Sequence, residues 1–444
     1  MSVESTDEER VESYASRLGP TWIAGAIAAG PATMASLLAA GAGYGYTLLW
    51  VVVGSAVLGT VGQYLAARLG LLTEEGIVTT VERHLGEGWA WVLVIDVVLA
   101  AGLAQLVIMK TVADVSAVLT GVDARLWGVV WAVVLAVGLA SGGYRIAELG
   151  AKLLVSLVVL AFVATALVVP IDAGAAASGL LPRIPAGLDG ALVAAGVLGG
   201  AVHVTLLTMQ GYTMRARGWT RADAGLARFD VGSSMLVAFG GYSLAIFLVA
   251  ASVLEGPSIT AVEAGRALEP TVGTYATWLF LFGLLGAAVS TLGGNTVVPP
   301  YLLADKLDWG RSIDDPRYRV LLAGVALASA AGAFLGGSFL SLLVLVLAFG
   351  LVGTPFAIVL ILYLLNDPAI VDETAPLAAN LGGLVLLGVA LVTASTFVRE
   401  QAAVVTDPLS AFVVAFAAGI GLATVLLAVK FVRAATRIGT PTET

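Results

Sequence analysis

The 444-residue sequence contains no cysteine. A disulfide, a thiolate metal ligand and a cysteine nucleophile are therefore all excluded. Histidine is nearly as scarce, with His84 and His203 the only two. No HExxH, GxSxG or P-loop pattern occurs, which removes the common hydrolytic and NTP-driven signatures. Charge is thin as well: Asp, Glu, Lys and Arg make up 12%, against about 25% in a soluble domain. No basic stretch alternates with aromatics, so nothing points to nucleic acid. The N-terminal MSVESTDEERVESYASR lacks the basic n-region and short apolar core of a cleaved signal peptide, so the first hydrophobic segment is expected to remain in the mature chain.

What fills the space is apolar. Hydrophobic residues reach 59% and glycine 53 positions, a composition suited to lipid contact and to close helix approach. Length alone suggests two or three soluble domains, but the apolar runs overrule it. The net charge of −8 and the small lysine share of the basic residues fit an acidic surface in strong salt, so a halophilic source is an expectation; they exclude no substrate.

A spanning helix needs about 20 mostly apolar residues. Twelve candidate segments follow: 18–41, 46–70, 89–119, 126–142, 147–170, 188–213, 231–254, 273–303, 319–336, 338–365, 376–398 and 409–433. With the N-terminus inside, seventeen of the 22 Arg and Lys fall in inner loops or tails. Only Arg125, Arg183, Arg266 and Arg399 fall outside, and Lys110 lies within a span. That bias obeys the positive-inside rule, and a one-helix error would scramble it. The expectation is an all-α, multi-pass cell-membrane protein: a cytoplasmic tail over 1–17, a transmembrane domain over 18–433 and a cytoplasmic tail over 434–444. No cofactor is expected, and the oligomeric state is left open.

Two segments carry interruptions. Segment 1 has Gly30-Pro31 mid-span, and segment 6 has Gly199-Gly200 followed by His203. Proline removes a backbone hydrogen bond and glycine lowers the cost of unwinding. Freed peptide groups are tolerated at that depth only where they line protein or a water cavity. In a chain of two five-helix halves these segments correspond, and paired breaks mark a transporter's binding site. The other reading is an ordinary proline kink with a glycine packing notch.

The run AGAGYGYTLLWVVVGSAVLGTVGQYLAARLGLLT resembles the segment 1–2 region of the NRAMP (natural resistance-associated macrophage protein) metal-ion transporters. GLLPRIPAGLDGALVAAGVLGGAVHVTLL is similar to their approach to helix 6, with weaker echoes in TLGGNTVVPPYLL and GTPFAIVLILYLLND. The resemblance covers about residues 17 to 367. It implies the LeuT-type fold of inverted five-helix repeats, here about 18–170 and 188–365 with extra helices over 376–433, and a site between helices 1 and 6.

The motifs depart from that pattern. Where the family has Asp-Pro-Gly-Asn, this chain has Gly30, Pro31, Ala32 and Thr33; where it has Met-Pro-His-Asn, it has Ala201, Val202, His203 and Val204. A second family histidine falls at Thr208, and the helix 3 aspartate of the family's proton route at Gln105. The remaining donors are Thr33, His203, Thr205, Thr208, Gln210 and carbonyls near Gly30 and Ala201, with Thr33 and His203 the candidate metal ligands. Without a fixed carboxylate, such a site would hold a cation weakly, with much of its water kept, as Mg²⁺ prefers. It could equally pass a neutral or anionic solute toward half-helix N-termini.

Other intramembrane polar groups carry two readings each. Lys110 and Asp114 stand at i,i+4, as a structural ion pair or a functional one. Asp96 has no sequence-local partner and reads either as a cation or proton site or as an interfacial residue beside Trp89 and Trp91. Glu148 and Lys152 read as interfacial snorkelling. His203 reads as ligand, proton acceptor or structural group. Asn295 and Thr354 are pathway-lining or helix-packing groups. The expected function is secondary transport of a divalent cation (Mn, Fe or hydrated Mg) by alternating access. The alternatives are a carrier of a small organic or anionic solute and a non-transporting sensor.

Overall fold

Pro31 decides where the first helix starts. Its fixed φ and missing amide suit a first helical position, and Gly30 before it is extended (φ −63°, ψ 164°). The computed structural model describes residues 30–141, 144–256, 259–403, 405 and 408–438. The expected tail over 1–17 and the first part of segment 1, 18–29, lie outside the described residues.

All regular structure among the described residues is helical. The membrane helices are α1 (Pro31–Tyr44), α2 (Leu49–Thr73), α3 (Glu87–Thr120), α4 (Ala124–Ser141), α5 (Tyr144–Ala166), the two halves α6a (Leu188–Val202) and α6b (Val204–Ala216), α7 (Gly240–Val253), α8 (Ala276–Thr296), α9 (Pro316–Ala328), α10 (Phe339–Asn366), α11 (Leu377–Ala403) and α12 (Pro408–Ile438). Each falls on one of the twelve apolar segments, and α12 runs past the expected end at 433.

Among the described residues, ten stretches are long and apolar enough to span a bilayer. Two features account for the difference from twelve. α1 and α2 join through the 3-10 turn Gly45–Leu48, where Gly45 adopts φ +53° to reverse the chain. α9 is short and ends in a 3-10 turn over Ser329–Phe334.

The packing repeats itself. α1 packs on α7 as α6a packs on α2; α3 packs on α10 as α8 packs on α5; α4 packs on α9, and α3 on α8. Exchanging the first five helices for the second five maps each pair onto another or onto itself. Five is odd, so matching helices cross in opposite directions, which is an inverted repeat.

The stretches holding α6 and α10 are each 89% buried, whereas that of α4 is 17% buried. α10 is therefore a central rod and α4 a peripheral one. Leu126 and Val137 on α4, Leu149 and Leu153 on α5 and Val392 on α11 stand exposed, the apolar surface that lipid would cover.

Candidate functional site

The second interruption falls at His203. α6a ends there, His203 is extended (φ −52°, ψ 136°), and α6b begins at Val204. No proline is needed: the His203 Nδ1 accepts a hydrogen bond from the Thr205 amide at 3.2 Å and so caps α6b with a side chain. The carbonyl freed at Val202 is met by Thr354 of α10, whose Oγ1 donates to it at 2.6 Å. Of the two readings of Thr354, the geometry places it as the group that closes the break.

Glycines bring three backbones together at this depth. A Cβ on Gly200 would come 3.0 Å from Thr33 Oγ1, and one on Gly196 would come 2.9 Å from Ser36 Oγ. That face of α6a therefore lies against the first turns of α1. Gly199 lies against the Leu347 carbonyl of α10, where a Cβ would stand 2.2 Å away. The His203 ring occupies a notch at Gly350, with Nε2 only 1.7 Å from where a Cβ would be, and the ring hydrogen-bonds the Val346 backbone. Tyr242 of α7 reaches the Thr33 hydroxyl. Ser36 and Thr205 bury hydroxyl oxygens that have no partner among the described residues, which marks a polar lining in an apolar bundle.

A cavity of about 320 Å³ opens above this region, lined by Ala35, Ala39 and Tyr44 of α1, Asp189, Leu192 and Val193 of α6a, and Ser341 and Val344 of α10, among others. Asp189 is the charged residue on its wall.

Thr33, in the first turn of α1 that opens with Gly30, Pro31 and the buried Ala32, thus lies against Gly200, three positions before His203. Other candidate residues are placed elsewhere. Ala201 turns both its methyl group and its carbonyl toward Gly59 of α2. Thr208 lines a small cavity with Leu69 and Thr73 of α2, beyond the site, and Gln210 is buried farther along α6b. Asn295 is committed to α3: its Nδ2 donates to the Ala101 carbonyl at 2.8 Å and to Gln105 Oε1 at 2.9 Å, while Gln105 donates to Thr296 at 2.7 Å. Asn295 and Gln105 therefore bind α8 to α3. Lys110 and Asp114 form the i,i+4 pair at 2.9 Å. The Glu148 side chain lies outside the described residues, and with it the Glu148–Lys152 pair. Among the described residues, no three His, Asp or Glu side chains converge as a metal cluster would require.

A polar knot that sequence reading missed ties the far end of α6b. Tyr212 donates to Asp305 Oδ2 at 2.5 Å, Thr79 donates to Asp305 Oδ1 at 2.9 Å, and Arg311 pairs with the same carboxylate. Just before it, Gly70 of α2 and Gly211 of α6b meet backbone to backbone, a Cβ on Gly70 falling 2.7 Å from the Gly211 Cα.

An inverted-repeat bundle whose sixth helix breaks at His203, close to the start of α1, is the architecture of a secondary transporter. Comparison with known proteins agrees. A family model described as natural resistance-associated macrophage protein-like matches residues 21–400. The chain belongs to the NRAMP family. It is similar to the divalent metal cation transporter MntH of Mycobacterium tuberculosis, 28% identical over 374 residues, covering 80% of this chain and 84% of that protein. MntH of Mycobacterium leprae is 28% identical over 406 residues, covering 87% of this chain and 92% of that protein. In fold it is similar to a mutant form of the Eremococcus coleocola manganese transporter (TM-score 0.73, 14% identity, 95% of this chain and 96% of that one). The nucleobase-cation-symport-1 family transporter Mhp1 shares the fold more distantly (TM-score 0.52, 14% identity, 90% and 96% coverage).

Proposed function

We propose that this NRAMP-family chain carries a divalent metal cation across the cell membrane by alternating access, through the gap between the start of α1 and the break in α6. In this reading both termini are cytoplasmic, the cavity above Ser36 opens outward, and the repeats run about 18–170 and 188–365 with 376–433 appended. The observation that carries it is the interruption at His203, stabilised by its own ring and by Thr354 and set against the helix that starts at Pro31. Two helix ends buried within an apolar bundle have no use in a bundle that only packs. With no carboxylate on α1 or α6 at the break, the ion would keep part of its water shell, as a small hard cation does. Mn²⁺, Fe²⁺ and Mg²⁺ uptake into proteoliposomes tests this: each is expected to enter or to compete, and if none does, the cation reading is refuted.

A second reading has one observation in its favour. The N-termini of α1 and α6b both face the break, and such ends favour negative groups. Transport of an anionic solute, unaffected by divalent ions, would replace the first reading.

A further inference from the structure

One ionisable side chain in the membrane region is left unanswered by its surroundings. Asp96 lies in the first third of α3, fully buried, and neither carboxylate oxygen has a hydrogen-bond partner among the described residues. Lys110 of the same helix is also buried but has Asp114. A carboxylate without a donor is costly in such a place and persists where something else meets it.

The location of the carboxylate is specific. It rests on the bare backbone of α10 at Gly353, where a Cβ would stand 2.3 and 2.4 Å from its two oxygens. The His203 ring occupies the matching notch at Gly350. Positions three apart share a helix face, so the imidazole at the break and the carboxylate from α3 stand on one glycine-cleared strip, about 4.5 Å apart in rise. The same rod leads upward to Val344 in the cavity wall, about 9 Å above Gly350. The order along α10 is therefore cavity, break, carboxylate.

We propose that Asp96 is the cargo-binding carboxylate of this transporter, delivering from α3 the negative charge that α1 and α6 do not carry at the break. The inference rests on the cation reading. His203 acts beside it as a positioning residue: its Nδ1 is engaged by Thr205, and its ring holds the break open next to the strip. One carboxylate with freed carbonyls and retained water is a hard oxygen set. It suits Mn²⁺ and Mg²⁺ and gives a soft ion such as Cd²⁺ no advantage.

Calorimetric titration of the full chain in lipid nanodiscs with MnCl₂, MgCl₂ and CdCl₂ tests this. D96N is expected to lower Mn²⁺ and Mg²⁺ affinity at least tenfold while thermal stability holds or rises, because a charge without a donor has been removed. G353A retains the carboxylate but puts a methyl group in its place, and the same loss is expected; this variant serves if D96N does not fold. Wild-type Mn²⁺ affinity in D96N or G353A overturns the role of Asp96 and leaves the cation reading standing. Preference of the wild type for Cd²⁺ over Mn²⁺ overturns the hard-oxygen site. Absence of any divalent binding by the wild type refutes the cation reading itself, and this inference with it.

Discussion

The notch at Gly350 can be tested by filling it. In G350A the new methyl would sit 1.7 Å from His203 Nε2, 2.0 Å from Cδ2 and 2.4 Å from Cε1. Ordinary contact needs about 3.5 Å, so the ring must retreat by more than 1 Å. It has little freedom to do so, because Nδ1 is held by the Thr205 amide at 3.2 Å. Overpacking of this kind costs about 1–3 kcal/mol, and losing the cap adds about 1 kcal/mol, so about 2–4 kcal/mol in total. Reversible unfolding in mixed micelles would measure it, with uptake assayed in parallel. The double variant H203A/G350A isolates the cause. With the ring gone the methyl has room, so the double variant should be no less stable than H203A alone, a coupling of about 2 kcal/mol or more. Simple additivity, or a G350A protein as stable and as active as wild type, would refute the placement of His203 against α10.

Three further outcomes are expected. Asp305 holds Tyr212, Thr79 and Arg311 together, so D305N should loosen that end of α6b; the chain has no cysteine, and a single T208C reporter should react faster with a maleimide in D305N than in the parent, an equal rate refuting the latch. Gly199 meets the Leu347 carbonyl whereas a Cβ on Gly102 would meet nothing within 4 Å, so G199A should lower stability by about 2 kcal/mol or more while G102A raises it by about 0.5–1 kcal/mol, as unfolding in micelles would show. The Arg317 side chain, then its backbone amide, hold the Asp315 carboxyl well below the usual carboxylate range; a depressed folded value contributes stability above the unfolded pKa of about 4 and loses it as pH falls further, so the stability gap between wild type and D315N should narrow from about pH 5 downward, and a gap that widens would contradict it.

The sequence made the positions of the breaks legible, because their causes are local. Gly199-Gly200 before His203 announces where a helix can stop, and α6a stops at His203; Gly30-Pro31 announces where one can begin, and α1 begins at Pro31, with the residues before Gly30 outside the described ones. Membership of the family was also readable from unbroken strings in segments 1 and 2. What surrounds the breaks was not readable, since it is set by residues far apart in the chain. Gly350 and Gly353 look like any packing glycines until His203 and Asp96 are seen resting on them. Asn295 offered two equal readings because its partners, Ala101 and Gln105, lie almost two hundred positions away. Asp305 and Tyr212, which carry no local signal, are joined across 93 positions.

The bare contact between Gly70 and Gly211 has a mechanical consequence. Two rods that touch without interlocking side chains can turn against each other without unseating any knob from a hole, so the friction of that joint is low. Resistance to movement there falls instead on the single carboxylate of Asp305, a bolt beside a smooth bearing.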